Sequence, residues 1–234
     1  MKIRIEKFIA DYTLYTRNEI KKLISKGLVK VNDLIIKKSQ SIDPKLDKIY
    51  LEGILLEARE EFSYIMMNKP AGYICANFDW NKQVVFELLL DLEMNLKDFF
   101  TIGRLDIDTE GLLIITNDGK LSHNLLSPKK HIPKTYYVEL DKPLEKNIKE
   151  LLEKELLIDE IKYKKSILNN ISNNKCEITI FEGKFHQIKI IFAHFGYKVT
   201  YLKRIKMNNL SLDENLKPGE YKFLTKEELD LLKN

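Results

Sequence analysis

The chain is poor in cysteine and has no long apolar run, and each absence argues against a class of protein. Its 234 residues include two cysteines, Cys75 and Cys176, which lie far apart without metal-ligand spacing. We therefore expect reduced thiols in a cytoplasmic protein, and neither a disulfide scaffold nor a zinc site. No stretch of about 18 apolar residues occurs, so no membrane-spanning helix is expected. The first twelve residues carry charges inside their apolar stretch and lack a small-residue cleavage site, which argues against a signal peptide.

The chain also has little excess charge, with a formal net charge of +4 that is unevenly distributed. Residues 1–50 contain 12 Lys and Arg against 6 Asp and Glu, whereas the remainder contains 27 against 29. A small basic segment on a nearly neutral body is typical of an appended polyanion-binding module. From charge alone, a solvated lysine-rich surface is the alternative. The hydrophobic fraction of 44% is ample for a packed core, which excludes a disordered chain.

Residues 1–60 are expected to form a small unit that begins with two helices. Apolar residues recur at helical spacing from Ile5 to Tyr12. Thr16, with Glu19 three residues later, predicts a capping box at the start of a second helix, which Gly27 would end. The second helix carries a stripe of cations off its apolar face, namely Arg17, Lys21, Lys22 and Lys26.

A short hairpin is predicted after the second helix. Val29–Val31 and Leu34–Ile36 flank Asn32-Asp33, and a turn at Asp43-Pro44 precedes another strand at 48–51. This order of elements resembles the S4 RNA-binding module. A rigid helix of that kind can hold several cations against a phosphate backbone. A generic amphipathic helix is the alternative.

The remaining residues, 61–234, are expected to form one α+β domain with a mixed or antiparallel sheet. The polar, charged segment 57–61 is the expected linker. Buried or alternating apolar runs predict strands, and helical spacing predicts helices. The expected strands are 62–67, 112–115, 136–140, 175–181 and 199–205, and the expected helices are 144–157 and 185–195.

Four ionisable residues occupy seven positions within Gly103-Arg104-Leu105-Asp106-Ile107-Asp108-Thr109-Glu110-Gly111. The glycine at each end permits unusual backbone angles. A charged loop on a rigid scaffold is a common place for catalytic groups. Spacing alone, however, would favour a surface turn with a local Arg–Asp pair.

Together with Leu112-Leu113, this loop resembles the signature of the RsuA-type ribosomal RNA pseudouridine synthases. Other segments resemble that family's motifs in the same order, and the resemblance covers essentially the whole chain. It implies an S4-like RNA-binding domain over 1–60 and a pseudouridine synthase catalytic domain over 61–234. The matching segments are Asn68-Lys69-Pro70-Ala71-Gly72, Lys134-Thr135-Tyr136, Glu182–Lys189 and Pro218-Gly219-Glu220-Tyr221.

The resemblance also implies roles for single residues. Asp106 would be the catalytic carboxylate, which attacks the sugar of a flipped-out uridine or removes a proton from it. Lys189 would be its basic partner, and Tyr136 would stack on the target base. Asp108 is expected only to shape the loop. The residues expected to hold the base or the RNA are Arg104, Lys69, His186, Gln187, Arg17, Lys21, Lys22 and Lys26.

The segment Phe185-His186-Gln187-Ile188-Lys189 is similar to the small-subunit branch of that family. We therefore expect 16S rRNA, or a small-subunit assembly intermediate, as the partner of a monomeric isomerase. No metal or cofactor is expected, since no ligand cluster or phosphate loop is visible. One alternative is a 23S rRNA synthase, and another is a non-catalytic rRNA-binding or ribosome-assembly factor. A third is a sugar hydrolase that pairs Asp106 with Glu110 or Asp108.

Some positions depart from the family's pattern. Asn208-Asn209 stands where two glycines are usual, and asparagine tolerates a positive φ better than most residues. Ile190 stands where a basic residue is usual, which would remove one contact to phosphate.

Overall fold

The computed structural model describes residues 2–44, 46–56, 62–92, 94–127, 130–145 and 147–234. Its contacts divide the chain into two compact units. The first unit comprises Met1–Phe62 with Leu92–Asp98, and the second comprises Ser63–Asp91 with Phe99–Asn234. The expected linker at 57–61 lies outside the described residues, so the boundary at residue 60 stays a prediction. None of the described helices is both long and apolar enough to cross a bilayer.

The first unit begins with the two predicted helices. Helix α1 spans Ile5–Tyr12 and helix α2 spans Arg17–Ser25. The Thr16 hydroxyl accepts a hydrogen bond from the backbone N–H of Glu19, and the Glu19 carboxylate accepts one from the N–H of Thr16, so the predicted capping box is confirmed. The predicted stop is confirmed too, because Gly27 has a φ of 76° just beyond the helix.

Short strands complete the first unit: β1 (Ile3–Arg4), β2 (Val29–Val31), β3 (Leu34–Ile36), β4 (Ser41–Ile42), β5 (Ile49–Leu51) and β6 (Ile54–Leu56). Strand β1 pairs with β4, and the other strands form an antiparallel sheet in the order β3-β2-β5-β6. The predicted hairpin is therefore confirmed, with Asn32 at a φ of 54° in its turn. One apolar core joins helices and sheet, and it includes Ile5, Phe8, Ile9, Ile20, Ile24, Val29 and Ile49.

The segment Leu92–Asp98 belongs to the first unit although it interrupts the sequence of the second. Within the first unit, the Asn95 side-chain amide donates to the carbonyl oxygen of Ala10, at the end of α1, over 3.5 Å. The first unit is thus assembled from two stretches of chain, which the sequence did not indicate.

A mixed sheet forms the framework of the second unit. The strands of this unit are β7 (Tyr64–Lys69), β8 (Phe100–Thr101), β9 (Glu110–Thr116), β10 (Lys134–Leu140), β11 (Leu156–Ile158), β12 (Ile161–Tyr163), β13 (Ile167–Ser172), β14 (Lys175–Ile180), β15 (Val199–Met207), β16 (Leu210–Ser211) and β17 (Tyr221–Phe223). Strands β11 and β12 form a separate two-stranded sheet, and the others form the mixed sheet. The order is β13-β14-β10-β15-β9-β7-β17, with β8 on β9 and β16 on β15. Strands β9 and β15 are parallel and the other pairs are antiparallel, so the predicted mixed sheet is confirmed.

The helices of the second unit are α3 (Gly119–Leu126), α4 (Ile148–Leu152), α5 (Gln187–His194) and α6 (Lys226–Lys233), and a 3₁₀ helix spans Val85–Leu89. The prediction of one helix over 144–157 is wrong beyond α4, leaving aside residue 146, which is not described. Residues Leu156–Ile158 instead form strand β11 and pair with β12. Asp159 and Glu160 both adopt positive φ and turn that hairpin, so strand pairing overrides the helical spacing.

A close approach between β9 and β15 fixes the end of the Gly103–Gly111 loop. A Cβ atom on Gly111 would lie 2.2 Å from the carbonyl oxygen of Arg204, and Gly111 has a φ of 101°. Only glycine satisfies both conditions. The loop therefore leads directly into the buried centre of the sheet.

Candidate active site

A buried lysine holds the loop between β8 and β9. Lys69, at the end of β7, is 0% exposed. Its ammonium donates to the carbonyl oxygens of Pro70 at 3.0 Å, Asp106 at 3.2 Å and Thr109 at 2.8 Å. Burial lowers the pKa of Lys69, while the carboxylates of Asp108, Glu110 and Asp106 oppose that shift. The ammonium fixes the backbone on both sides of the Asp106 side chain.

Two residues expected to contact RNA are thus engaged within the protein. The ammonium of Lys69 is surrounded by loop carbonyls, which contradicts the expected RNA contact and makes it a positioning residue. Gln187 is also buried: its side-chain amide donates to Glu182 at 3.1 Å and accepts from the N–H of Lys184 at 3.0 Å. Its amide holds the turn before α5, and Gln187 also lines the cleft that contains Asp106, so its contact with the base stays a prediction.

The thiol of Cys75 provides another anchor for the loop. The backbone N–H of Leu105 donates to Cys75 Sγ at 3.3 Å. Burial raises the pKa of Cys75, so the thiol stays neutral. Cys75 and Cys176 are both free cysteines, as expected.

The side chain of Asp106 lies in a group of charged residues. Its carboxylate is 3.4 Å from Lys189 Nζ and 3.6 Å from His186 Nε2, and the side chain is 29% exposed. Lys189 Nζ also donates to Asp108 Oδ1 at 2.6 Å. One ammonium therefore serves two carboxylates, and the shorter contact is to Asp108.

Helix α5 and the residue that precedes it bring the side chains of Lys189 and His186 to this group. Lys189 lies in its first turn, and His186 precedes the helix in a left-handed conformation with a φ of 47°. The ring of His186 stacks on that of Phe185, with centroids 3.8 Å apart. The predicted helix over 185–195 thus begins two residues later than expected, because the left-handed backbone of His186 cannot belong to the helix.

Asp108 is held in its charged form. Burial tends to raise the pKa of Asp108, but the hydrogen bond and charge of Lys189, with the charge of His186, produce a net lowering. Glu110 accepts a hydrogen bond from Tyr201 at 2.7 Å. A sugar hydrolase would need one of these two acids to be a proton donor beside Asp106. Asp108 is held in its charged form by Lys189, which opposes the role of proton donor. The Glu110 carboxylate already accepts the hydrogen bond from Tyr201.

An open cleft of about 440 Å³ adjoins the charged group. Asp106 and Lys189 line it, as do Arg104 and Tyr136. Tyr136 projects from β10 and is buried, whereas Tyr137 lies on the other face of that strand and donates to Glu139 at 2.7 Å. The residues that sequence analysis assigned to the base and the sugar therefore share one cleft.

A second cavity of about 780 Å³ also borders Tyr136 and Arg104. Its lining includes two buried cations, Lys134 and Arg204. Arg204 Nε donates to the carbonyl oxygen of Leu112 at 2.7 Å. Burial lowers the pKa of Lys134 to about 8, and the charge of Arg204 adds to that shift. Sequence analysis missed Arg204, although the alternation along β15 from Leu202 places it on a buried face.

Comparisons with known proteins follow the same division of the chain. The family described as "RNA pseudouridylate synthase" matches residues 63–194, and the S4 domain matches residues 3–46. The chain belongs to the RNA pseudouridylate synthase family. Membership confirms the expected enzyme class and the order of the two domains.

Family members resemble the chain over its full length. "Uncharacterized RNA pseudouridine synthase YtzG" of Bacillus subtilis (strain 168) is 41% identical over 98% of each chain. "Ribosomal small subunit pseudouridine synthase A" of Haemophilus influenzae is 38% identical, over 98% of this chain and 99% of the relative. A solved structure described as "Crystal structure of pseudouridylate synthase" has a TM-score of 0.69 and 38% identity, covering 98% of this chain and 99% of its own.

Proposed function

We propose that this chain converts one uridine of 16S rRNA to pseudouridine, with Asp106 as the reacting carboxylate. The observation that carries the proposal is the placement of Asp106, 3.4 Å from Lys189 Nζ, in the cleft that Tyr136 also lines. A partly buried carboxylate tends to take up a proton, and a neighbouring ammonium opposes that uptake. Lys189 supplies that positive charge beside Asp106.

The reaction is an isomerisation, so it needs positioning and charge but no second substrate. The bond from C1′ of the ribose to N1 of uracil breaks, and a bond from C1′ to C5 forms. The proton on C5 leaves and N1 ends protonated, so that the atoms balance. The buried ring of Tyr136 provides a surface on which the turning base can stack.

The uridine must leave its helix to reach this cleft. Extrusion costs a few kcal/mol and is easiest where the RNA is already unpaired. Arg104 is exposed and lines the cleft, so its guanidinium can stack on a base or bind a phosphate bidentately. We expect His186, whose Nε2 is 3.6 Å from the Asp106 carboxylate, to contact the sugar or the base.

Small-subunit rRNA is the favoured substrate because the H. influenzae relative and an Escherichia coli relative 35% identical to this chain both carry the name "Ribosomal small subunit pseudouridine synthase A". The exposed cations on α2 would hold the RNA backbone. We further propose a cytoplasmic monomer that acts on 16S rRNA or on a small-subunit assembly intermediate. The domains proposed are residues 1–60 and 61–234.

The substitution Asp106→Asn tests the reacting group. It removes the charge but keeps the shape, so we expect RNA affinity within about threefold of wild type and a rate lower by at least about 1,000-fold. Pseudouridine is measured as carbodiimide-dependent primer stops on 16S rRNA incubated with purified protein. Asp230→Asn, at an exposed position on α6, is a control that makes the same change of residue type outside the cleft.

Mapping both rRNAs of a deletion strain separates the alternatives. Loss of one pseudouridine from 16S rRNA, restored by wild-type protein and not by Asp106→Asn, is the expected result. A lost site in 23S rRNA would redirect the substrate. Tight rRNA binding without any product would favour a non-catalytic assembly factor, and product formed by Asp106→Asn would refute the role of Asp106.

A further inference from the structure

The loop between Ile74 and Val84 exposes two large aromatic side chains. Trp80 is 88% exposed and Phe78 is 65% exposed. Their rings contact each other edge to face, with centroids 4.8 Å apart. Aromatic rings supply much of the apolar area that proteins bury, so a pair of rings exposed to solvent marks a binding surface. Trp80 is also the single tryptophan of the chain.

The loop has a defined shape, so the exposure of the rings does not come from fraying. Backbone hydrogen bonds join Ile74 to Gln83 at 3.0 Å and to Val85 at 3.1 Å. Between the two rings, Asp79 Oδ1 accepts hydrogen bonds from the N–H groups of Asn81 and Lys82 at 2.9 and 3.0 Å. A surface held in place before binding loses little conformational entropy when a ligand arrives.

The base of this loop is attached to the loop that carries Asp106. Cys75 contacts the backbone of Leu105, and the N–H of Gly72 donates to the carbonyl oxygen of Ile107 at 2.7 Å. The aromatic pair and the reacting carboxylate therefore belong to one framework. Lys82, an exposed cation in the same loop, adds charge complementary to a phosphate.

We propose that Phe78 and Trp80 form a stacking platform for an unpaired base of the RNA substrate, outside the cleft that receives the target uridine. This inference rests on the proposed function. Unpaired bases bind proteins mainly by stacking on exposed aromatic rings, because every base has a π face. The platform therefore recognises an unpaired, stackable nucleotide with little preference for its identity. Lys82 would contact the adjoining phosphate.

The single tryptophan gives a direct readout. Full-length Asp106→Asn protein, which binds without turnover, is titrated with an in vitro transcript of 16S rRNA while Trp80 fluorescence is recorded. We expect saturable quenching that follows the binding curve measured by anisotropy of labelled transcript. Fluorescence that stays constant through saturation would overturn the proposal.

Substitutions then separate stacking from other roles. Trp80→Ala should raise the Kd for the transcript about tenfold, Phe78→Ala should raise it less, and Trp80→Phe should retain most of the affinity. Leu90→Ala, a matched control at an aliphatic side chain that is 82% exposed, should leave the Kd unchanged. Equal affinity of Trp80→Ala and wild type would refute the platform. Self-association of wild type that Trp80→Ala abolishes, without a change in Kd, would assign the pair to contacts between copies of this chain.

Kinetics distinguish this inference from the proposed function. For Trp80→Ala we expect a KM raised about tenfold and a kcat close to wild type, because the platform lies outside the reacting group. A wild-type chain that forms no pseudouridine would refute the proposed function, whatever the fluorescence shows. A Trp80→Ala variant with normal KM in an active enzyme would refute only the platform.

Discussion

At the scale of single residues, Lys189 contacts two carboxylates at different distances. It is 2.6 Å from Asp108 and 3.4 Å from Asp106. The closer contact orients the ammonium, and the longer one leaves the Asp106 carboxylate free to approach the ribose that the proposed function requires. Asp108, which the sequence marked only as a loop residue, thereby becomes a positioning residue for the cation.

Lys189→Met should lower the rate of the chemical step about 100-fold and change RNA affinity less than threefold, since it removes a preorganised charge beside the reacting group. Single-turnover kinetics at saturating 16S rRNA measure the first quantity, and equilibrium binding measures the second. Asp108→Asn is the informative control: it retains the ammonium and should reduce the rate only about tenfold. Equal losses of rate and affinity in Lys189→Met would argue against a counter-ion.

Lys134 is a buried cation whose charge destabilises the fold. Its pKa falls from 10.5 to about 8, which corresponds to a penalty on the order of 3 kcal/mol at pH 7. The unfolded chain keeps this proton up to about pH 10.5, whereas the folded chain releases it near pH 8. Between those values the unfolded state binds more protons, so the contribution of Lys134 to stability rises with pH.

Lys134→Met should therefore raise the free energy of unfolding at pH 7 by about 1–2 kcal/mol, after losing its hydrogen bond to the carbonyl oxygen of Ile132. The gain should fade as the pH rises from 8 to 10.5. Urea unfolding of both proteins at pH 7 and pH 10 measures this difference. Lys162→Met, at an exposed ammonium on β12, should show no such trend. A destabilised Lys134→Met protein at pH 7 would contradict the argument.

At the scale of elements, the features that could be predicted from the sequence are those that neighbouring residues specify. The capping box of α2, its glycine stop and the β2–β3 hairpin were predictable because neighbouring residues specify each of them. The helix expected over 144–157 was not, because β11 gains its pairing from β12 and from a turn at Asp159-Glu160. Spacing along a segment carries no information about a partner strand.

The candidate site was predictable only through motif resemblance. No local pattern brings Lys189 to Asp106, since their proximity depends on how α5 packs beside the loop after β8. Lys69 and Gln187 were assigned to RNA because their residue types suit it. The carbonyls and the carboxylate that engage them come from the fold, so their burial could not be read from the sequence.

Helix α2 is the element for which an RNA contact has the clearest test. Its cations Arg17, Lys21, Lys22 and Lys26 are all exposed, as expected. Lys21→Ala/Lys22→Ala should weaken binding to 16S rRNA and reduce the slope of log K against log salt by about 0.7–0.9 for each phosphate that the variant no longer neutralises. Lys37→Ala/Lys38→Ala removes the same charge from exposed positions outside α2. Identical slopes for the two double variants would show that α2 has no special role.

At the scale of the whole molecule, charge and chemistry are assigned to different parts of the chain. The first 50 residues carry the positive excess, with 12 Lys and Arg against 6 Asp and Glu, whereas Asp106, Tyr136 and Lys189 all belong to the second unit. In the proposed function, long-range attraction to a polyanion and short-range recognition of one nucleotide would therefore come from separate sets of residues. Salt should affect association more strongly than the chemical step.

The return of Leu92–Asp98 to the first unit has a consequence for recombination. The chain passes from one unit to the other after Phe62, after Asp91 and after Asp98. A chimera made by one crossover near residue 62 would combine residues 1–62 of another protein with the native Asn95. The side-chain amide of Asn95 donates to the carbonyl oxygen of Ala10 in the native chain. Exchange of the first unit, in the laboratory or in evolution, therefore requires that two separate segments of the gene be transferred together.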